Sequence, residues 1–196
     1  MSIYPNVKFM TSAAEAHQLT PDTGREIAFA GRSNSGKSTA INVITQRTGL
    51  ARVSRTPGRT QLINLFEVAD GRRLVDLPGY GFAKVPESVR ARWLLLMERY
   101  FNERESLVGL VLIVDSRRGL GTEDVGMLEW MLARDRQAHI LLTKADKLNR
   151  REALRVLKET QEACGDTAVT AQLFSAHAKQ GADEARAVLE RWFAEP

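Results

Sequence analysis

Residues 27–38 read IAFAGRSNSGKS, an apolar run that leads into a glycine-rich turn, a lysine and a serine. The run at 27–30 predicts a buried strand, and residues 39–45, TAINVIT, are compatible with a helix. The pattern GxxxxGK[ST] between a strand and a helix is a phosphate-binding loop, because glycines allow close backbone approach and the helix start offers N–H groups to phosphate oxygens. We therefore expect nucleotide contacts from Gly31, Arg32, Ser33, Asn34, Ser35, Gly36, Lys37, Ser38 and Thr39.

Two side chains of this loop have separate predicted roles. Lys37 adds a positive charge between the outer phosphates, and the Ser38 hydroxyl is a ligand for Mg²⁺. A chance glycine-rich turn is the alternative, and the flanking strand and helix argue against it.

The size and composition of the chain are those of one folded domain. Of 196 residues, 43% are hydrophobic and 27% charged, and we expect a lead-in over residues 1–25 packed on a single domain over 26–194. The net charge of +4 permits contact with nucleic acid or another anionic surface. Cys164 is the only cysteine, and neither a long apolar run nor a secretory signal is evident. We therefore expect a cytoplasmic location and no membrane span.

A second motif lies at the end of a predicted strand. Residues 76–79 read DLPG, a pattern that is weak by itself but gains weight from its place after a phosphate loop. Asp76 can hold Mg²⁺, usually through water, and the Gly79 amide can meet a γ-phosphate. The predicted nucleotide contacts of this segment are Asp76, Leu77, Pro78 and Gly79.

The rest of the chain alternates between apolar runs and helical patterns. Strands are predicted at 62–68, 73–76, 107–115, 139–144 and 168–175, and helices at 86–102, 122–133, 149–163 and 181–193. Asp70 and Gly71 predict a hairpin, and residues 7–9 are compatible with one more short strand. The alternation predicts an α/β fold of three layers, in which helices cover both faces of a mostly parallel sheet of six or seven strands with one antiparallel edge strand. Every motif then falls at the carboxyl end of a strand, where such sheets bind ligands.

Helical spacing also predicts the buried faces of two helices. From the helix at 122–133, the side chains expected to face the core are Val125, Leu128, Met131 and Leu132. From the helix at 149–163, Leu154 and Leu157 are expected to do so.

Residues 143–146, TKAD, indicate which base is bound. A carboxylate fixed at Asp146 accepts two hydrogen bonds from guanine, whereas adenine lacks that pair of donors and would leave the carboxylate unsatisfied. Lys144 can lay its stem over the base, and a backbone amide at Ser175 or Ala176 can meet the guanine oxygen. An ordinary charged turn is the alternative for the tetrapeptide alone. The predicted base contacts are Thr143, Lys144, Ala145, Asp146, Phe174, Ser175 and Ala176.

Six motifs together resemble the EngB family of bacterial GTPases. They are GRSNSGKS at 31–38, TPGRTQ at 56–61, DLPGYGFAK at 76–84, VDSRRG at 114–119, TKAD at 143–146 and FSA at 174–176. The resemblance covers about residues 6–193. It implies a monomeric, cytoplasmic GTPase that binds GTP, GDP and Mg²⁺ and helps to assemble the large ribosomal subunit. Its implied partners are rRNA and ribosomal proteins rather than DNA, and its implied cellular role extends to normal cell division and septation.

The resemblance also gives a role to the long loop that precedes residue 62. It implies that Thr60 completes the Mg²⁺ shell with Ser38 and Asp76 when GTP is bound, and Thr56 is the competing choice. The nucleotide contacts implied in this loop are Gly58, Arg59, Thr60, Gln61 and Leu62.

The hydrolysis mechanism stays open at this stage. The predicted catalytic residues are Lys37, Thr60, Gly79 and Asn34. Tyr80 stands where many small GTPases have a water-orienting glutamine. Relatives with an apolar or aromatic residue there often use a monovalent cation instead, and those relatives carry an asparagine at the position of Asn34. We therefore hypothesise that K⁺, held partly by Asn34, stabilises the transition state. The alternative is that Asn34 only tolerates an unusual backbone angle.

Two other classes of function remain. A P-loop kinase or ATPase is one, and the TKAD motif argues against it. The other is a binding module that responds to GTP and GDP with negligible hydrolysis and acts directly at the division septum. Basic side chains fit an RNA partner if they share a face, and they are Arg52, Arg55, Arg59, Lys84, Arg90, Arg92, Arg117, Arg118, Arg150 and Arg151.

Overall fold

Strands and helices alternate along the chain, of which a computed structural model describes residues 4–51, 62–81 and 87–195. The strands are β1 (Lys8–Ala13), β2 (Arg25–Gly31), β3 (Ile63–Ala69), β4 (Arg72–Asp76), β5 (Leu107–Asp115), β6 (Gln137–Thr143) and β7 (Val169–Leu173). The helices are α1 (Lys37–Ile44), α2 (Glu87–Glu103), α3 (Thr122–Leu132), α4 (Arg150–Cys164) and α5 (Ala182–Ala194). Predicted and observed bounds agree to within a few residues.

The described strands form one sheet in the order β1-β3-β4-β2-β5-β6-β7. Neighbours from β4 to β7 in this order pair in parallel, and β3 is antiparallel to both β1 and β4. The predicted hairpin turn at Asp70 and Gly71 joins β3 to β4, and its glycine has a φ of +68°. The N-terminal segment adds β1 outside β3, so the antiparallel pair forms one edge of the sheet. The predicted fold class is thus confirmed.

The side chains of β5 alternate between two cores, one on each face of the sheet. Leu110, Leu112 and Val114 pack in the core that contains Met97 of α2 and Met131 of α3. The intervening positions Val111 and Ile113 pack in the core that contains Ile41, Leu189 and Trp192 from α1 and α5. Because successive strand residues point to opposite faces, an apolar run through the whole strand is what a sheet covered on both sides requires.

A buried ionic network lies at the amino ends of the parallel strands. Glu26, at the start of β2, is fully buried and accepts hydrogen bonds from Arg73 Nε at 2.8 Å, Arg104 Nη2 at 2.6 Å and the Tyr100 hydroxyl at 3.1 Å. Arg104 also donates to the carbonyl oxygen of Thr20 at 2.8 Å. The network therefore fixes the segment before β2 to the edge of the sheet opposite the predicted site.

Two of the predicted helix faces need correction. Val125 is 42% exposed and Leu154 is 52% exposed, so the prediction that these side chains face the core is wrong. In α3 the buried apolar positions are Met127, Leu128 and Met131. In α4, which starts after the Asn149 cap, Ala153 is buried instead. Among the described residues, no helix is both long enough and apolar enough to cross a bilayer.

Candidate functional site

The glycine-rich loop folds into a tight curl between β2 and α1. Gly36 caps α1 with a φ of +101°, and Asn34 has a φ of +62°, both in the left-handed region. A Cβ at Gly31 would lie 2.7 Å from the carbonyl oxygen of Ile113, so only glycine fits there. The Ser35 N–H donates to the Arg32 carbonyl at 3.0 Å and closes the curl. A curl of this kind, followed by a helix start, is a site for phosphate oxygens.

The residues of the loop differ in how far they face solvent. Asn34 and Thr39 are exposed, and Gly31 and Ser35 are buried. The Arg32 side chain is directed toward the first turn of α3, where its Nη2 lies 3.2 Å from Glu123 Oε2. Half-buried positions are Ser33, Gly36, Lys37 and Ser38.

Lys37 and Asp76 bring the two predicted phosphate motifs into contact. The Lys37 ammonium at the start of α1 donates directly to the Asp76 carboxylate at the end of β4. Both side chains are largely buried, with 11% and 8% of their surfaces exposed. The Leu77 N–H continues the pairing of β4 with β2 by donating to the Phe29 carbonyl at 3.0 Å. The lysine and the carboxylate therefore meet at the carboxyl ends of the adjacent strands β2 and β4, and Ser38 follows the lysine on the first turn of α1.

The segment after Asp76 lies alongside the phosphate loop. The Ser33 N–H donates to the Tyr80 carbonyl at 2.8 Å, and a Cβ at Gly79 would be 3.6 Å from Ser33 Cα. Gly79 is thus placed beside the loop, as its predicted contact with a γ-phosphate requires. Pro78 and Leu77 are buried in the same segment.

The Tyr80 side chain is held in the interior. Its hydroxyl lies 2.5 Å from Asp124 Oδ1, its ring centroid is 5.9 Å from that of Trp93, and 4% of the residue is exposed. Burial, reinforced by the Asp124 charge, raises the pKa of Tyr80 far above its ordinary value, so the hydroxyl stays protonated. Tyr80 therefore anchors this segment to α3 instead of offering its hydroxyl to a reacting water.

Thr143, the last residue of β6, forms a hydrogen bond with the phosphate loop. Its hydroxyl donates to the Ser35 carbonyl at 2.5 Å, and the residue is 3% exposed. A Cβ at Gly36 would lie 3.6 Å from Thr143 Oγ1, an ordinary van der Waals distance, so the two segments lie side by side. The geometry gives Thr143 the role of supporting the loop.

Lys144 reaches across the same loop. Its backbone is left-handed, with a φ of +58°, and its Nζ donates to the Asn34 carbonyl at 2.7 Å and to Asp115 Oδ2 at 2.9 Å. The methylene stem is therefore extended between the end of β6 and the phosphate loop. An apolar stem in this position can pack against the face of a planar base.

Asp146 is fixed by the segment that follows β7. Its Oδ1 accepts a hydrogen bond of 2.6 Å from the Ser175 hydroxyl, and Ser175 is fully buried. That hydrogen bond lowers the pKa of Asp146 from its ordinary value, so the carboxylate is ionised near neutral pH. The Ala145 N–H donates to the buried Phe174 carbonyl at 3.2 Å, and Ala176 is half-buried beside it. An ionised acceptor of fixed direction at this edge suits the paired donors of guanine.

Part of the predicted site falls on residues that the structure does not describe. Gly58, Arg59, Thr60 and Gln61 lie outside the described residues, as does the alternative Thr56. Leu62 is described and is half-buried just before β3. The predicted Mg²⁺ ligands that can be located are therefore Ser38 and Asp76.

Two residues of the site were missed by sequence reasoning. Asp115 ends β5 with its carboxylate between Arg117 and Lys144, and the sequence prediction assigns it no role. The available signal is an acidic residue at the end of a buried strand that neighbours the strand of the TKAD motif. The Asp124 partner of Tyr80 has no such signal, because it lies within a helix.

The fold and the site together define a P-loop GTPase domain. In the described part of the chain, a phosphate loop, a DxxG segment and a TKAD turn lie at the carboxyl ends of β2, β4 and β6, which are parallel strands of one sheet. Residues 26–144, more than half of the chain, match the family model described as "50S ribosome-binding GTPase".

Similar individual proteins identify the family within the P-loop GTPases. The chain is 52% identical over 192 residues to a "Probable GTP-binding protein EngB" of Coxiella burnetii, a match that covers 97% of this chain and 94% of the relative. A protein of the same name from Francisella tularensis subsp. novicida is 50% identical over 194 residues, covering 97% and 98% of the two chains. A crystal structure of a probable GTP-binding protein engB superposes with a TM-score of 0.68 at 25% identity, covering 87% of this chain and 100% of the other. The chain belongs to the EngB family of GTP-binding proteins.

Proposed function

We propose that this protein is a monomeric, cytoplasmic molecular switch that hydrolyses GTP to GDP and phosphate during assembly of the large ribosomal subunit. Normal cell division and septation depend on it in this proposal. The observation that carries the nucleotide part is the ionised Asp146 carboxylate, held by Ser175 at 2.6 Å on the same sheet edge as the phosphate loop. The ribosomal part is supported by the family model that matches residues 26–144, whose description is a 50S ribosome-binding GTPase.

Magnesium fits the residues at the phosphate end. Asp76 supplies a largely buried carboxylate whose charge is matched by Lys37, and Ser38 supplies a hydroxyl on the first turn of α1. Oxygen donors of these two kinds are typical of Mg²⁺ sites in P-loop proteins, and we propose Thr60 as the third ligand when GTP is bound. The bound ion would neutralise charge on the outer phosphates. Lys37 would add its ammonium and Gly79 its amide on the same side.

Hydrolysis without a partner is proposed to be slow. The Tyr80 hydroxyl is bonded to Asp124 in the interior, so this side chain does not orient a water. We propose that K⁺, held partly by the exposed Asn34, supplies the missing positive charge, although the left-handed backbone of Asn34 is also reason enough for an asparagine there. Phosphate release should be faster in K⁺ than in Na⁺ or choline, and equal rates in all three would remove the K⁺ proposal.

A basic rim beside the base end of the site is proposed to bind rRNA. We define it as the exposed cations on the segments that follow β5 and β6, which are Arg117, Arg118, Lys147, Arg150 and Arg151. Because β5 and β6 are neighbours in the sheet, their following segments lie at one edge. A cluster of exposed arginines and lysines suits the phosphate backbone of RNA. Of the other basic residues in the RNA prediction, Arg92 is exposed on α2, while Arg52, Arg55, Arg59, Lys84 and the side chain of Arg90 lie outside the described residues.

Sedimentation with purified large ribosomal subunits tests the rim. The double variant Arg150→Ala/Arg151→Ala should bind less well than the unchanged protein. The slope of log affinity against log salt concentration should also be smaller in magnitude by about one to two. The matched control is Arg155→Ala/Lys158→Ala, which removes the same charge from exposed i,i+4 pairs further along α4. Equal loss in both variants would contradict a specific rim, and no association with any bound nucleotide would contradict direct ribosome binding.

The buried Tyr80 also favours a second candidate. Because Tyr80 does not offer its hydroxyl to a reacting water, we propose as the alternative a GTP- and GDP-dependent binding module with negligible hydrolysis, working directly at the division septum. The two candidates differ in turnover, because only the first requires GTP to be consumed while the protein is bound to its ribosomal partner.

A further inference from the structure

The carboxylate of Asp115 sits between two cations. Arg117 donates to it through two parallel bonds, Nε to Oδ1 at 2.9 Å and Nη2 to Oδ2 at 2.7 Å, and through its backbone N–H to Oδ1 at 3.1 Å. Lys144 Nζ donates to Oδ2 at 2.9 Å. The Asp115 side chain is 7% exposed, whereas that of Arg117 is 48% exposed. The aspartate is thus enclosed by its partners, and Arg117 forms the outer wall.

This carboxylate stays ionised. Burial alone would raise the pKa of Asp115, but the hydrogen bonds from Arg117 and Lys144 outweigh burial and hold that pKa well below its usual range. Lys144 therefore faces a permanent negative charge at the end of β5. Removing that charge without changing the shape of the side chain removes the main electrostatic anchor of the lysine.

The long side chain of Lys144 is held at both of its ends. Its backbone is fixed by a left-handed turn, and its ammonium has a second acceptor, the Asn34 carbonyl at 2.7 Å. Neutral carbonyls hold an ammonium less strongly than a carboxylate does. With Asp115 and Asn34 both engaged, the methylene stem is held in one extended path over the sheet edge.

We propose that Asp115 is a positioning residue for the guanine nucleotide, which acts by holding the Lys144 stem against the face of the base. Arg117 orients Asp115 in this arrangement. The inference rests on the proposed function, because it deepens the account of the same nucleotide site. In this proposal the end of β5 contributes to base binding although Asp115 itself does not touch the base.

Nucleotide affinity in the variant Asp115→Asn tests the inference directly. We expect GDP to bind about tenfold more weakly, since a charged hydrogen bond that orders Lys144 is lost. IDP lacks the exocyclic amine of guanine but presents the same ring face, so its affinity should fall by the same factor. The ratio of GDP to IDP affinity should therefore stay as in the unchanged protein. A changed ratio would contradict action through the ring face.

A double-mutant cycle distinguishes positioning from a structural effect. Lys144→Ala should weaken GDP binding, and adding Asp115→Asn to it should weaken binding no further, because Asp115 acts through Lys144. Independent, additive losses would overturn the proposal. Should Asp115→Asn fail to fold, Arg117→Ala at the exposed wall provides the test, with an expected loss of about threefold in GDP affinity. Unchanged affinity in that variant would overturn the proposal as well.

The control variant is Asp183→Asn. Asp183 also forms an ion pair with an arginine, Arg186, on the first turn of α5, and its side chain is 94% exposed. GDP affinity should not change in this variant. If the unchanged protein fails to bind GDP, the proposed function is contradicted. If it binds GDP and Asp115→Asn binds equally well, only the positioning role is contradicted.

Discussion

At the scale of single residues, the site depends on hydrogen bonds that fix the direction of a charge. Ser175 does this for Asp146, and its own position is set by burial and by its N–H, which donates to the Gln180 carbonyl at 3.1 Å. An aspartate whose carboxylate can rotate loses part of its ability to distinguish bases. In the proposed guanine site, the serine is therefore as much a part of base recognition as the aspartate.

The pH dependence of GDP binding tests this link between Ser175 and Asp146. Because the hydrogen bond lowers the pKa of Asp146, binding should persist as pH falls until the carboxylate protonates. In Ser175→Ala the pKa returns toward its ordinary value, so affinity should be lost at a higher pH than in the unchanged protein. Titrations from about pH 6 down to about pH 3 cover the range, because the ordinary pKa of an aspartate is about 3.9. Ser12→Ala, which removes a similar bond to Asn64 at the far sheet edge, should leave the profile unchanged, and identical profiles for all three proteins would contradict the link.

Tyr80 gives a second prediction at this scale. Tyr80→Phe keeps the contact with Trp93 but leaves one oxygen of the buried Asp124 carboxylate without its partner. The free energy of unfolding should fall by about 1–3 kcal/mol, as for other buried groups left unsatisfied. The rate at saturating GTP should change little, because the hydroxyl does not act on the reacting water. Denaturant unfolding and phosphate release measure the two quantities, and a slow but equally stable variant would contradict the anchoring role.

At the scale of elements, the central strand and the last helix must approach closely. A Cβ at Gly109 of β5 would lie 2.3 Å from Trp192 Cε3, whereas a Cβ at Gly126 within α3 would meet no atom within 4 Å. The space that a Cβ would need is occupied by the Trp192 ring at Gly109 and is open at Gly126. The two glycines therefore form a matched pair for testing how closely α5 packs on the sheet.

Alanine at each glycine should have opposite effects on stability. Gly109→Ala should lower the free energy of unfolding by about 1–3 kcal/mol, because the indole and the strand must move apart. Gly126→Ala should raise it by up to about 1 kcal/mol, since alanine is the better helix former. Urea denaturation measures both changes. Two variants with the same stability would contradict the close packing of Trp192 on β5.

At the scale of the whole molecule, sequence reasoning recovers what local pattern determines. The apolar run at 107–115 predicts β5 with its observed bounds, and the motifs fall at strand ends because a parallel sheet places them there. The network of Glu26, Arg73 and Arg104 was not predictable, since these residues are distant in sequence and carry no local pattern. Leu154 misled the prediction because an apolar residue on an exposed helix face resembles a core residue in sequence.

For the molecule as a whole, we propose that a ribosomal partner completes the guanine nucleotide switch. Because the Tyr80 hydroxyl is held in the interior by Asp124, this side chain does not orient water, and we propose the basic rim beside the base as the surface for RNA. Partner binding and turnover should therefore be linked. A positive charge added to such a transition state can be worth about 10³–10⁵-fold in rate.

The most direct test is single-turnover phosphate release from GTP, measured with and without purified large ribosomal subunits in the same K⁺ and Mg²⁺ buffer. The account predicts slow release from the protein alone and at least about a tenfold acceleration by large subunits. It also predicts that ATP gives no release attributable to the protein. Equal rates with and without subunits, or no GTP consumed in either case, would contradict the account.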